Sequence, residues 1–234
     1  MAKKPAYEDI VDNLRGKMWI YLITTFTTFA IVFNFAPEII NWIAGELLPP
    51  GATLIYLSPA EFFLLKIRLS GYSAISLIFL IVTIQIWHTV RARSLLPDVG
   101  VEKLFGILSI SIILFLLGAT YSLELMLPTV LEYLQNDAAS AGLETTYSLS
   151  AFYHFVFLLT FSLGITFQLP LIVILMLKLE LTTVDKLAEY RSHLVVVFFI
   201  LAAMITPPDV ISQFLLAIPL MILYELSILF GKFT

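Results

Sequence analysis

The sequence predicts an all-α, polytopic membrane protein with six transmembrane helices, the fifth and sixth short or broken, and both termini cytoplasmic. Three observations predict this class. Of the 234 residues, 60% are hydrophobic and only 13% are charged, and the mean hydropathy is +0.98. Soluble domains are about 45–50% apolar and about 25% charged. The apolar residues also fall into long runs, and the basic residues gather between alternate runs.

Six apolar runs are predicted to cross the bilayer, because a membrane helix needs about 20 such residues. The fifth run is short, and Pro219 interrupts the sixth. Residues 37–61 and 124–150 are predicted to be long polar connections, since they are rich in Pro, Gly, Asn and Thr. Residues 1–234 are therefore predicted to form a single helical domain. The predicted spans are residues 17–35, 62–87, 104–125, 152–177, 194–205 and 210–230.

The distribution of basic residues predicts the orientation of these spans. All Lys and Arg residues except Lys66 and Arg68 lie near the N-terminus, in the connections after the second and fourth runs, or at the C-terminus. The other connections carry acidic residues and no bases. By the positive-inside rule, both termini are predicted to be cytoplasmic. Lys66 and Arg68 then lie inside the outer end of the second helix.

The sequence carries none of the common catalytic signatures. It has no Cys, and its three histidines, His88, His154 and His193, lie on different segments. It contains no HExxH, GxSxG or GxxxxGK[ST] pattern. We therefore predict a protein that is not an enzyme, uses no cofactor or metal and binds no nucleic acid. Energy for any work it does has to come from a partner or an ion gradient.

A polar stretch precedes the sixth predicted helix. Thr206 and Asp209 have the spacing of a capping box, and Pro207 suits the first position of a helix. Alternatively, the Pro207-Pro208 turn and the short fifth helix leave the protein thinner than the bilayer, which thins the lipid locally. Gln213 follows within the same stretch.

Three further residues place polar chemistry inside apolar runs. Gln168 lies in the fourth predicted helix, close to Pro170, which lacks a backbone N–H. The Gln168 amide is expected either to bond to a neighbouring helix of this chain or to receive a polar residue of a partner's helix. Glu225 lies near the end of the sixth helix. It is expected to reach the interface, to pair with Lys232, or to ionise in a cavity lined by a partner.

Carboxylates also lie on the predicted cytoplasmic face. The segment Asp12-Asn13-Leu14-Arg15 precedes the first helix, and Glu102-Lys103 precedes the third. A carboxylate can accept the planar fork of an arginine through two hydrogen bonds, so two carboxylates could hold two arginines. The alternative is an ordinary solvated interface.

Several of these segments closely resemble motifs of the TatC family, the multispanning receptor subunits of twin-arginine protein translocases. The resemblance covers nearly the whole chain, and it includes the predicted span number and the cytoplasmic termini. The matching segments are Leu57–Phe63 with Glu61, Gln85–Trp87, Gly164–Pro170, Tyr190-Arg191, and Thr206–Gln213 with Tyr224-Glu225.

The resemblance implies a concave six-helix wall in the cytoplasmic membrane of a prokaryote. Such a protein binds twin-arginine signal peptides and recruits small single-span subunits of the TatA and TatB type. Folded cargo then crosses at the expense of the proton-motive force. Contact with membrane lipid and self-association are further expectations. The implied signal-peptide residues are Asp12, Asn13, Arg15, Glu102 and Lys103, and the implied docking residues are Gln168, Pro170 and Glu225.

Two positions depart from the family pattern. Asn13 stands where the family usually has a glutamate, so Glu102 becomes the main candidate for recognising the signal peptide. Gln168 also replaces a usual glutamate, which makes a proton-linked role at that position unexpected. Two other functions compete with the receptor. One is a small secondary transporter or channel subunit with a midplane polar site at broken helices. The other is a purely structural assembly factor.

Overall fold

The structure is a computed structural model that describes residue 12 and residues 15–92, 101–206 and 209–232. For residues 90–92 and 101–105 only the backbone is described. The described helices are α1 (Met18–Leu47), α2 (Glu61–Ala92), α3 (Val101–Thr120), α4 (Leu127–Ser140), α5 (Leu149–Thr166), α6 (Leu169–Lys178), α7 (Val184–Glu189), α8 (Arg191–Ile205) and α9 (Val210–Gly231).

These helices confirm the predicted polytopic helical architecture. A π-helical segment, Tyr121–Met126, joins α3 to α4, so that a run of 35 residues, Gly106–Ser140, is long and apolar enough to span a membrane. Over the described part of the chain there are five such runs. The helix α8 is the shorter apolar one. Its 15 residues rise about 22 Å, against about 30 Å for the hydrocarbon core of a bilayer.

The first and third spans are longer than the sequence predicts. Residues 37–61 and 124–150 were expected to be polar loops, but α1 continues through Pro37 to Leu47, and helix continues to Ser140. Pro37 removes only one hydrogen bond from its helix. The turns that follow it bury Ile40, Ile43 and Leu47 in the core. This packing outweighs the lost bond and extends the helix.

Two short strands lie in the remaining connections, and the sequence analysis did not predict them. Strands β1 (Thr53–Ile55) and β2 (Thr146–Ser148) pair in parallel, with Leu54 opposite Tyr147. Because α1 ends and both α2 and α5 begin next to these strands, we call this end of the bundle the strand end. The opposite end, where α1 and α3 begin and α6 and α9 finish, is called the termini end.

The helix is broken near the proline of the fourth span but continues through the proline of the sixth. The fourth is broken at Phe167 and Gln168, between α5 and α6, with Pro170 as the second residue of α6. The sixth was expected to be interrupted at Pro219, but α9 continues through it without ending. The Pro219 turn is flanked by the buried residues Ala217 and Leu220, so tertiary packing holds the helix together across the missing bond.

Most of the buried side chains belong to one cluster. It joins Ile40 of α1, Leu65 of α2, Leu127 of α4 and Phe157 of α5, and it continues through α8 and α9. By contrast, the first half of α1 has no buried residue, since burial along that helix begins at Ala36. Near the termini end, a separate small cluster contains only Trp87 and Leu175 as buried members. The main core itself also reaches the termini end, where it includes Leu187, Tyr224 and Ile228.

Candidate functional site

The predicted recognition residues lie at the termini end. The backbone places Glu102 and Lys103 in the first turn of α3, which begins at Val101. Asp12 and the exposed Arg15 are helical residues just ahead of α1. Asn13 lies outside the described residues. The chain thus brings the two predicted carboxylates, Asp12 and Glu102, to the same end of the bundle.

An ion pair joins α8 to α9 at this end. The Arg191 guanidinium donates from Nη2 to Glu225 Oε2, and its Nε lies 2.8 Å from Glu225 Oε1. Both side chains are about half exposed, at 49% and 51%. Of the alternatives for Glu225, pairing with Lys232 is therefore wrong. Arg191 begins α8 directly beside α9, and its planar fork matches the carboxylate better than an ammonium does.

Neighbouring contacts hold this ion pair in place. The buried Tyr224 hydroxyl donates to the carbonyl oxygen of Leu187 at 2.7 Å, which ties α9 to α7. The side chain of Thr183 accepts a hydrogen bond from the Lys186 N–H and caps α7. The connection before α8 is thereby fixed, and Arg191 is oriented toward Glu225.

Gln168 is fully buried and bonded within the chain. Its Oε1 accepts from the Ser111 hydroxyl at 2.7 Å, and its Nε2 donates to the Ser111 carbonyl at 2.9 Å. The amide therefore takes the first of its two predicted roles, a bond to a neighbouring helix. Docking of a partner at Gln168 is not supported by this arrangement, because the side chain presents no accessible surface.

Close approach of α3 and α5 explains why Gln168 reaches Ser111. A Cβ atom on Gly118 would lie 2.6 Å from the Leu163 carbonyl oxygen, and one on Gly164 would lie 2.6 Å from the Phe115 ring. Glycine at both positions allows the two backbones to approach. The break after α5 then turns Gln168 toward α3. Ser111 was missed in the sequence, although a polar residue within a long apolar run was an available signal.

The polar stretch before α9 adopts a different cap from the one predicted. The capping box of Thr206 and Asp209 is wrong. Thr206 ends α8 and donates its hydroxyl to the Ala202 carbonyl, while Asp209 itself is the N-cap and accepts from the Ser212 N–H at 2.7 Å. Pro207 and Pro208 lie outside the described residues, and α9 begins at Val210. Gln213 follows in the first turn, half-buried.

Glu61 lies at the strand end. It begins α2, is buried, and its Oε2 accepts from the Leu57 N–H at 3.3 Å. The Glu61 N–H in turn donates to the Ser58 carbonyl. These reciprocal bonds satisfy amide groups where the chain enters the helix. In this position Glu61 shapes the entry to α2.

The described residues hold no group of three His, Cys, Asp or Glu that could bind a metal. The termini end carries charged side chains on exposed helix ends, such as Arg15 and the Arg191–Glu225 pair. The strand end and the middle of the bundle instead use polar side chains to join helices.

Comparison with known proteins agrees with this arrangement. Residues 9–219 match the family model "Sec-independent protein translocase protein (TatC)". The TatC of Aquifex aeolicus is 33% identical over 94% of this chain and 92% of its own length. That of Halothiobacillus neapolitanus is 29% identical over 94% of this chain, and the chain spans 60% of its length. A crystal structure of a "Twin Arginine Translocase Receptor- TatC" superposes with a TM-score of 0.81 at 29% identity, covering 96% of this chain and 98% of that one.

Proposed function

Because this chain belongs to the TatC family, and is therefore a multi-pass prokaryotic membrane protein and a non-enzymatic component of a Sec-independent translocase, we propose that it is the receptor for twin-arginine signal peptides. In this proposal both termini and the termini end face the cytoplasm. The observation that carries the proposal is the match over nearly the whole chain to a solved structure described as a twin-arginine translocase receptor.

Recognition occurs at the start of α3 and at the segment ahead of α1. Glu102 accepts one arginine of the signal peptide, and Asp12 supplies the second carboxylate in place of the usual glutamate at Asn13. Arginine suits such a site because it donates two parallel hydrogen bonds to a carboxylate, whereas lysine donates as a point charge. Arg15 and Lys103 flank the carboxylates and orient the peptide's acidic or polar groups.

Small single-span subunits dock along the exposed face of α9. A groove of 460 Å³ lies there, lined by four apolar residues and Glu225; the apolar residues are Met221, Ile222, Leu226 and Leu229. Since Glu225 already binds Arg191 and both remain half exposed, a polar residue of a partner's helix can share the pair without burying an isolated charge. Of the three docking residues predicted from the sequence, Glu225 keeps that role in this proposal. Gln168 instead packs within the chain, and Pro170 shapes the helix break beside it.

Transport itself uses the short α8. A helix of about 22 Å leaves part of a 30 Å hydrocarbon core unmatched, and such mismatch thins the surrounding bilayer. Asp209 and Gln213 lie at the strand end of this thin region, at the start of α9. Folded cargo crosses near it with the partner subunits, driven by the proton-motive force.

Site-specific photocrosslinking in membranes tests the receptor role. A photoreactive residue replaces Val101, beside Glu102, and the bait is a signal peptide bearing paired arginines. We expect labelling by this peptide and none by the same peptide with both arginines changed to lysine. A probe at Gln135, at the strand end, serves as the matched control and should stay unlabelled.

The contrary outcomes are distinct. Equal labelling by the two peptides, or none in a correctly inserted protein, contradicts recognition at Glu102. Transport of a small solute by the chain alone in liposomes would instead favour the secondary-transporter function.

A further inference from the structure

Four polar side chains form two contacts on the exposed seam between α2 and α5, and we call them the Arg68 cluster. Arg68 donates from Nη1 to the Ser150 hydroxyl oxygen at 3.3 Å, and the Tyr72 hydroxyl lies 3.4 Å from His154 Nδ1. Both helices begin at the strand end and run in the same direction. Residues 68 and 72, like residues 150 and 154, are one helical turn apart, so the two contacts stack on one face.

The charge of Arg68 is not balanced by a carboxylate. In the part of the chain that the structure describes, no acidic side chain lies within ion-pair distance of its guanidinium, and its one hydrogen-bond partner is the neutral hydroxyl of Ser150. Two other described bases that lie in apolar helices, Lys66 and Arg191, are better compensated. Lys66 lies 4.3 Å from the centre of the Phe33 ring, and Arg191 binds Glu225. An exposed guanidinium that lacks a counter-charge in a spanning helix is expected to bind an external anion.

The depth of the cluster identifies where that anion comes from. Arg68 lies seven residues beyond Glu61, the first residue of α2, which corresponds to about 10 Å along the helix. His154 lies five residues into α5, or about 8 Å. Side chains on a helix lean toward its N-terminus, so the Arg68 side chain extends toward the strand end and the membrane interface. The 32 residues of α2 rise about 48 Å, so a centred helix extends about 9 Å beyond each face of a hydrocarbon core of about 30 Å, and Arg68 is then placed near the phospholipid phosphates.

Apolar side chains continue below the cluster. The Tyr72 ring stacks on Phe161 at 5.7 Å between centroids, and Ile75, one turn further into the membrane, is 62% exposed. Such a surface suits acyl chains. An inorganic phosphate ion would gain nothing from it and would lose its hydration.

We propose that the Arg68 cluster binds the phosphate of a phospholipid in the leaflet at the strand end. Arg68 donates to two phosphate oxygens, and Tyr72 and Ser150 each add a hydroxyl. The acyl chains lie along Phe161 and Ile75. This site is separate from the termini end, so the lipid holds α2 against α5 and does not compete with the signal peptide.

Native mass spectrometry of the full-length chain in detergent tests this site. The probe is dioleoylphosphatidylglycerol, and dioleoylglycerol, which lacks the phosphate, serves as the comparison lipid. The Arg68→Gln variant should bind the phospholipid about tenfold more weakly, since charge-assisted hydrogen bonds to phosphate are lost. The matched control is Lys66→Gln, which removes the same charge at nearly the same depth and should leave lipid binding unchanged.

Three results would overturn the proposal. These are equal losses in Arg68→Gln and Lys66→Gln, binding of dioleoylglycerol as strong as that of the phospholipid, and displacement of the phospholipid by millimolar inorganic phosphate. If Arg68→Gln does not fold, Tyr72→Phe keeps the test decisive. It should weaken phospholipid binding about threefold through loss of one hydroxyl, and unchanged binding would contradict the assignment.

Discussion

The strand end and the termini end of this bundle use the same kinds of residue for different purposes. At the strand end, polar groups are buried and turned inward. The Tyr153 hydroxyl, for example, donates to the Ile40 carbonyl at 2.7 Å inside the main core. At the termini end, charges such as Arg191 and Glu225 remain half exposed, and a small cluster that buries Trp87 and Leu175 is separate from the main core.

This difference separates stability from recognition. Burial of apolar surface and satisfied internal hydrogen bonds stabilise the strand end, which fixes the relative positions of the helices. The termini end also contributes to that core, but its Arg191–Glu225 pair stays half exposed, so these charges are available to ligands. A protein of this design tolerates change at its half-exposed charges better than in its buried core.

The largest effect is expected from truncation in the main core. Phe157 is 1% exposed in the main cluster, and Phe157→Ala should lower the free energy of unfolding by about 3–5 kcal/mol. The matched variant Leu175→Ala, in the small cluster, should cost about 2 kcal/mol, the lower end of the range for such a truncation. Chemical denaturation in detergent micelles measures both. Equal losses of unfolding free energy in the two variants would show that the main core and the small cluster do not differ in their contribution to stability.

An intermediate effect is expected at Gln168, between the ends. Gln168→Leu removes two hydrogen bonds to Ser111, but the Ser111 hydroxyl can turn back to a carbonyl of its own helix. The free energy of unfolding should therefore fall by about 1–3 kcal/mol. A double-mutant cycle with Ser111→Ala isolates the coupling between the two side chains. Weaker binding of partner subunits with unchanged stability would show instead that Gln168 serves docking.

The smallest effect on stability is expected at the Arg191–Glu225 pair. Because both side chains are half exposed, Arg191→Gln should lower the free energy of unfolding by at most about 1 kcal/mol. Copurification of the small single-span subunit should nevertheless decrease, since Glu225 loses its counter-charge. Lys186→Gln, a nearby charge change outside the pair, serves as the control. A stability loss above 2 kcal/mol would place the pair within the scaffold instead.

Hydropathy and charge were sufficient to predict the polytopic helical class, because burial in lipid leaves a strong compositional signal. They were insufficient for the helix ends beyond Pro37 and for the continuation of α9 through Pro219, since tertiary packing overrode a local breaker at both. The partner of Glu225 was also missed. Lys232 is near in sequence, but Arg191 is near in space, and only the packing of α8 on α9 reveals it. Likewise, Gln168 was recognised as a polar group, whereas its bond to Ser111 depends on the glycine-mediated contact of α3 with α5.

Hydrogen exchange of the intact protein, with and without a twin-arginine signal peptide, tests the separation of the two ends most directly. The account predicts that the peptide slows exchange of backbone amides at the start of α3 and ahead of α1, while amides of β1 and β2 are unchanged. Slowed exchange confined to β1, β2 and the neighbouring helix ends, with none at the start of α3, would contradict it.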